Sequence, residues 1–299
     1  MSVSHSDLFI DRTLLRRLPS DYEGDVLLWD IDKTYLDTHF SSWRGLLRIP
    51  FEFAVDKESI PGSVPLLRAL RRGPGDDSAL VPLLFVSGSP PQLRRVIERR
   101  MTLDGVDFDG VTFKDQLGLL VHGRPKALKE QVGYKLMALL LNRAELPDGA
   151  QWLMFGDDVE YDADVFVLFG EVCGGLRGAD LSRRLQMHRV PDSEIAAICK
   201  MAEGIRVTAD PVQRIFIHLE SGTDPSQFVD ARVVATRSYL QTAYVLTSMG
   251  RIKREAVAAV ARDLRMRGVP ESELDGQARD AQQRLGVPSE VTSLSRRTA

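Results

Sequence analysis

"DVLLWDIDKT", residues 25–34, runs a continuous apolar stretch straight into a pair of acids. Val26, Leu27, Leu28 and Trp29 lack polar alternation, as strands covered on both faces do. The run then ends in Asp30 and Asp32, with Thr34 behind them. Two carboxylates so close repel and shift each other's pKa. A metal ion, phosphate chemistry or a surface turn would each account for them.

Outward from this stretch, short apolar runs alternate with helical patterns as far as about residue 170. "LVPLLFVS" and "QWLMF" read as further buried strands, while "PPQLRRVIERRM" and "GYKLMALLLNRAEL" read as helices. Such alternation predicts an α/β fold, a Rossmann-like parallel sheet with helices on both faces. "RRGPGDD" is a loop signal. Beyond residue 190 the pattern turns helical. "DPVQRIFIHLESG" has Asp210 as a cap, Pro211 at the first helical position, and Val212, Ile215, Phe216 and Leu219 at helical spacing before Gly222. Helices starting at Ser193 and within "REAVAAVARDLRMRG" follow the same logic, and "SYLQTAYVLTSMG" reads as core packing. The expected organisation is an extension over 1–24, an α/β domain over 25–189, a helical C-terminal module over 190–290 and a disordered tail over 291–299.

Composition sets outer bounds. The chain has 299 residues, 43% hydrophobic and 27% charged, which suits a globular protein of one large or two ordinary domains. A net charge of −3 gives no nucleic-acid footprint. No stretch has the roughly 18 apolar residues of a membrane span. Peripheral membrane contact stays open, because composition does not report it. Cys173 and Cys199 sit among apolar neighbours and read as reduced thiols of a cytoplasmic protein.

The strand ends carry the chemistry. Ligands of open parallel sheets bind at the carboxyl ends of the strands. The first strand ends there in Asp30 and Asp32, the second in Ser87, Gly88 and Ser89, the last in Gly156, Asp157 and Asp158, with Asp162 five residues past Asp157. Lys135 opens the helix before that last strand; Lys126 and Lys129 are rivals in the same stretch. Phosphoryl transfer needs such a set. It takes a carboxylate nucleophile, a second carboxylate as acid and base, a lysine and hydroxyls for the transferring group, and Mg²⁺ on carboxylates to neutralise charge. Other candidates are weaker. Ser89 reads as a turn residue, Asp158 and Glu160 read equally as site acids or as loop solvation, and Arg44, Arg48, Arg94 and Arg95, which could grip an anionic substrate, read more simply as solvated positions. His122 and His218 lack spaced partners.

"DIDKT", "FVSGS", Lys135 and "GDDVEYD", in that order, resemble the four motifs of the haloacid dehalogenase-like phosphatase superfamily over roughly residues 25–170. The resemblance implies Asp30 as nucleophile and Asp32 as acid/base. Thr34, Ser87, Gly88 and Lys135 would hold the phosphoryl group. Asp30, Asp32 and Asp157 would bind Mg²⁺, with Asp162, or alternatively Asp158, as the further acid of the metal site. "PGSVPLLRAL", "FVSGSPPQL", "YKLMALLLNRAELP" and "FGDDVEYDADVF" are similar to stretches of the yeast actin-patch phosphatidate phosphatase family and its bacterial relatives. This chain departs from that family at Lys33, Tyr134 and Asp158-Val159. The expected function is a Mg²⁺-dependent phosphatase acting through an aspartyl-phosphate. Residues 36–59 leave room only for a minimal cap, so the expected substrate is bulky, a phosphatidate-like lipid among the candidates. A phosphatase-like binding or scaffold module and a phosphotransferase to an acceptor other than water are the alternatives. A receiver domain fits less well, because its acid pair and phosphoacceptor occupy the opposite order along the sheet.

Overall fold

The computed structural model describes residues 9–36, 58–76, 79–115 and 131–296. Seven strands form one sheet: β1 (Ile10–Leu14), β2 (Asp25–Asp30), β3 (Leu83–Ser87), β4 (Gly110–Lys114), β5 (Gln151–Asp157), β6 (Val212–His218) and β7 (Val233–Thr236). Their order is β1-β4-β3-β2-β5-β6-β7. All pairings are parallel except the edge pair β1 and β4. The sheet is therefore α/β and Rossmann-like, with β2 near its centre.

The apolar run of β2 is buried on both sides, as its composition predicts. Strand side chains alternate in direction, so Leu27 and Trp29 join one core and Val26 and Leu28 the other. The first core lies under α1 (Ser63–Arg72), α2 (Arg94–Leu103), α7 (Tyr239–Ser248), α8 (Glu255–Met266) and α9 (Glu271–Leu285). The second lies under α3 (Val132–Glu145), α4 (Asp162–Cys173), α5 (Gly178–Met187) and α6 (Asp192–Glu203). On the first face Trp29 stacks on Phe155 at 4.2 Å, and Phe155 on Phe216 at 5.1 Å. Three neighbouring strands are thus locked in register by one aromatic ladder.

Several expectations change. Residues 212–218 are strand, not helix. Ile215, Phe216 and Ile217 are all buried, and a strand covered on both faces is apolar at helical spacings too. The β-branched Val212, Ile215 and Ile217 were the discriminating signal. The sheet also crosses the boundary expected at residue 190, since β6 pairs with β5 and β7 with β6. Ile10–Leu14, expected as extension, pairs with β4. The tail is packed as far as Ser295: α10 (Ser289–Thr292) and a following turn bury Val291, Thr292 and Ser295, and Tyr244 donates to Ser295 Oγ at 2.6 Å. Residues 297–299 lie outside the described residues. The helices expected from Ser193 and over "REAVAAVARDLRMRG" are α6 and α8, and α7 is core as expected.

At the sheet edge, Arg284 donates to the Ala235 carbonyl at 2.7 Å and so occupies a backbone acceptor of β7. Cys173 and Cys199 are free thiols. No helix among the described residues is long and apolar enough to cross a membrane.

His218, at the end of β6, stacks on Tyr239 at 5.0 Å, and burial lowers its pKa to about 4. Its ordinary value is 6.5. Below pH 6.5 the unfolded chain takes up a proton that the folded chain refuses, so stability falls as pH drops from 6.5 towards 4. At pH 5 this amounts to about 2 kcal/mol. His218→Phe keeps the ring stack and removes the titration. Urea unfolding at pH 7 and pH 5 is expected to show the smaller loss in the variant; equal losses would contradict this assignment.

Candidate functional site

Three adjacent parallel strands, β3, β2 and β5, end at the same sheet edge. They deliver Ser87 to Ser89, Asp30 to Asp32, and Asp157. Past β2 the chain turns sharply. Lys33 adopts a left-handed conformation with φ 61°, and the amides of Tyr35 and Leu36 return to the Ile31 carbonyl at 3.0 and 2.9 Å. Past β5, Tyr161 is left-handed at φ 62°, directly before Asp162 begins α4. Such conformations cost a non-glycine residue on the order of 1 kcal/mol and persist where surrounding contacts hold them. Both therefore sit in the loops that aim the acids.

Asp30, Asp157 and Asp162 are buried, each with a carboxylate oxygen within 4.8 Å of the others. Among the described residues neither oxygen of Asp30 has a hydrogen-bond partner, although its Oδ1 lies 2.9 Å from the Lys135 ammonium. Asp162 is fully engaged: one oxygen pairs with Lys135 and the other accepts the Asp157 amide at 3.1 Å. Asp157 Oδ1 accepts the amides of Val159 and Glu160 at 2.6 and 3.1 Å, and its Oδ2 accepts from Thr34 Oγ1 at 3.3 Å. Glu160 Oε2 completes the ring around Lys135 at 3.0 Å.

Crowding of like charge in a buried pocket moves these groups. Burial pushes the Asp30 carboxyl well above its usual range; Lys135 opposes this and Asp162, Glu160 and Asp157 add to it. Burial, with Asp162, raises Asp157 to about 8. Burial alone would discharge Lys135, but Asp162, Asp30, Glu160 and Asp157 outweigh it and hold the ammonium charged. The donors are hard oxygens, and the unsatisfied pair on Asp30 suits a small divalent cation. Asp30, Asp157 and Asp162 are the carboxylates that could hold such an ion.

The expected residues divide. Asp30, Lys135, Asp157 and Asp162 come together. Asp32 sits beside them on β3's side, where its carboxylate accepts Ser87 Oγ at 2.7 Å and Ser89 Oγ at 2.9 and 3.0 Å. Ser87 and Gly88 lie at the end of β3. Asp158 turns away: it accepts the Ser221 amide and hydroxyl at 2.8 and 2.6 Å and the Thr223 amide at 3.0 Å. Asp162, not Asp158, is thus the further acid of the cluster. Arg94 is tied to Asp11 and Thr13 at the sheet edge. Arg44, Arg48, His122, Lys126, Lys129 and most of the expected cap over 36–59 lie outside the described residues.

Four contributors were not settled as site residues by the sequence. Glu160 points inward, and Ser89 grips Asp32. Tyr134 donates to the Ser87 and Thr112 carbonyls at 2.7 and 3.2 Å, fixing the ends of β3 and β4. Tyr239, from α7, donates to the Thr34 carbonyl. The acids within "GDDVEYD" were visible, but which of them face inward depends on the left-handed turn at Tyr161. Nothing in the local sequence near Tyr239 pairs it with a loop 205 residues earlier.

No family model, no curated protein and no solved structure matches the chain at a significant level. Two surface clefts of about 650 and 630 Å³ are lined by none of the residues around Lys135.

Gly156 lets Asp162 approach the β5 backbone. A Cβ there would stand 2.7 Å from Asp162 Cγ. Gly156→Ala should lower stability by about 1–3 kcal/mol and displace the Asp162 carboxylate. Gly276→Ala meets nothing within 4 Å in α9 and should gain up to about 1 kcal/mol. Urea unfolding of both variants checks the contrast; equal effects would contradict it.

Proposed function

We propose that this protein is a Mg²⁺-dependent phosphohydrolase that works through an aspartyl-phosphate on Asp30. The observation that carries the reading is the Asp30 carboxylate. It ends a central strand, lies fully buried, keeps both oxygens free of hydrogen bonds, and faces one ammonium and a second acid. A nucleophilic carboxylate needs free lone pairs. The motif resemblance to haloacid dehalogenase-like phosphatases supports the same roles.

Bound by Asp30 and Asp157, the cation would neutralise charge between the carboxylates and an anionic phosphoryl group. The protein's own residues supply the rest. An Asp30 oxygen attacks phosphorus, and the ester P–O bond breaks. Asp32, positioned by Ser87 and Ser89, gives its proton to the departing oxygen. It then takes one from the water that cleaves the acyl-phosphate and releases inorganic phosphate. Lys135 holds Asp30 in place and balances charge. Val159 and Tyr161, exposed on the loop between Asp157 and Asp162, offer apolar surface that fits an ester with a bulky apolar body.

Asp30→Asn should cut turnover by about 10³ or more while leaving the melting temperature unchanged or higher, because the amide spares a buried charge. Phosphate release and thermal unfolding check this, and retained turnover would remove the nucleophile. Asp157→Ala should raise the Mg²⁺ concentration for half activity at least about tenfold. An unchanged Mg²⁺ titration would take the metal role from Asp157. Free phosphate measured with and without added alcohol acceptors separates hydrolysis from transfer.

A further inference from the structure

An ammonium has three N–H donors and accepts nothing. Around Lys135 Nζ three carboxylates crowd in: Asp162 Oδ1 accepts a hydrogen bond, while Asp30 Oδ1 at 2.9 Å and Glu160 Oε2 at 3.0 Å are ion-paired without a directional bond. Three carboxylate oxygens within 3.0 Å of Nζ leave no room there for a phosphoryl oxygen. If Lys135 is to touch a substrate, one carboxylate must leave.

The three are not equally held. The Asp30 and Asp162 side chains are fully buried. Asp30 is fixed at the end of β2. Asp162 starts α4, packs against Gly156 and holds the Asp157 amide with its second oxygen. Glu160 differs on each count. Its side chain is 21% exposed, it rides the loop ahead of α4, and its Oε2 accepts no directional hydrogen bond among the described residues. It has one more rotatable bond than an aspartate, so it can swing outward without moving backbone.

We propose that Glu160 is a displaceable internal anion: its carboxylate holds the place on Lys135 that the phosphoryl group of the substrate takes. Glu160 keeps the ammonium paired in the free protein, and a phosphoryl group binds by exchange with it. The site thereby rejects weak or singly charged anions, which cannot compete with a tethered carboxylate. This rests on the phosphohydrolase reading for the identity of the anion.

The test is calorimetric titration of inorganic phosphate into wild-type protein, Glu160→Gln and Glu160→Ala, at saturating Mg²⁺ and pH 7.5. Both variants should bind phosphate at least fivefold more tightly than wild type, because the competing charge is gone. Glu160→Gln preserves side-chain size and guards against misfolding, which thermal unfolding monitors. Wild-type binding with no gain in either folded variant overturns the role of Glu160 alone. Weaker binding in the variants overturns it as well, and makes Glu160 a support for Lys135. Absence of phosphate binding in all three overturns both this inference and the phosphohydrolase reading.

Discussion

One buried ammonium sets the terms for the carboxyl edge of this sheet. Asp30, Glu160 and Asp162 all contact Lys135, and Asp32 and Asp157 stand close by. Removing even one unpaired charge from water costs several kcal/mol, so five carboxylates around a single cation cannot all be ionised and dry. The structure responds with raised pKa values at Asp30, Asp157 and Glu160 and with a dense set of donors at Asp32 and Asp157. An excess of negative charge that folding tolerates is a standing attraction for a divalent cation. It is also a barrier to any anion that arrives without one.

Rigid elements keep this arrangement from relaxing apart. The ladder Trp29, Phe155 and Phe216 lies one residue behind Asp30 on β2 and two behind Asp157 on β5. Tyr134 ties the ends of β3 and β4, and two left-handed residues, Lys33 and Tyr161, turn the chain so that acids face inward. Strain at those turns is set against the burial of β2 and β5 on both faces, a much larger stabilising term.

The central sheet was legible because its strands are buried twice over and its helices once. "VLLW", "LLFV" and "WLMF" could hardly be anything but interior strands, and the acids after them fall at the strand ends by simple continuation. The same uniform burial concealed β6, whose apolar residues satisfy helical and extended spacing together. β7 is four residues long, too short for periodicity. β1 could not be foreseen for another reason: an antiparallel edge strand is defined by its partner β4, far along the chain. Within the site, residue types and order pointed to Asp30, Lys135, Asp157 and Asp162. The direction of Glu160, the grip of Ser89 on Asp32 and the retreat of Asp158 towards Ser221 and Thr223 follow from loop dihedrals, which composition does not encode.

The C-terminal helices are part of the site's support, and the route is specific. Tyr239 on α7 bonds the Thr34 carbonyl, and its ring lies against His218 and Trp29. Thr34 in turn donates to Asp157. Nearby, α8 holds the chain returning to α1: Asp263 accepts the Gly62 amide at 2.8 Å, and Arg267 reaches the Ser59 carbonyl at 2.9 Å. Ser59 pairs with Leu36 at the end of the Asp30 loop. The loop bearing the acids is therefore clamped from below by α7 and from its exit by α8. A change deep in the C-terminal core can reach the carboxylates through two hydrogen-bonded steps, and the geometry of Asp157 depends on helices that contribute no acid of their own.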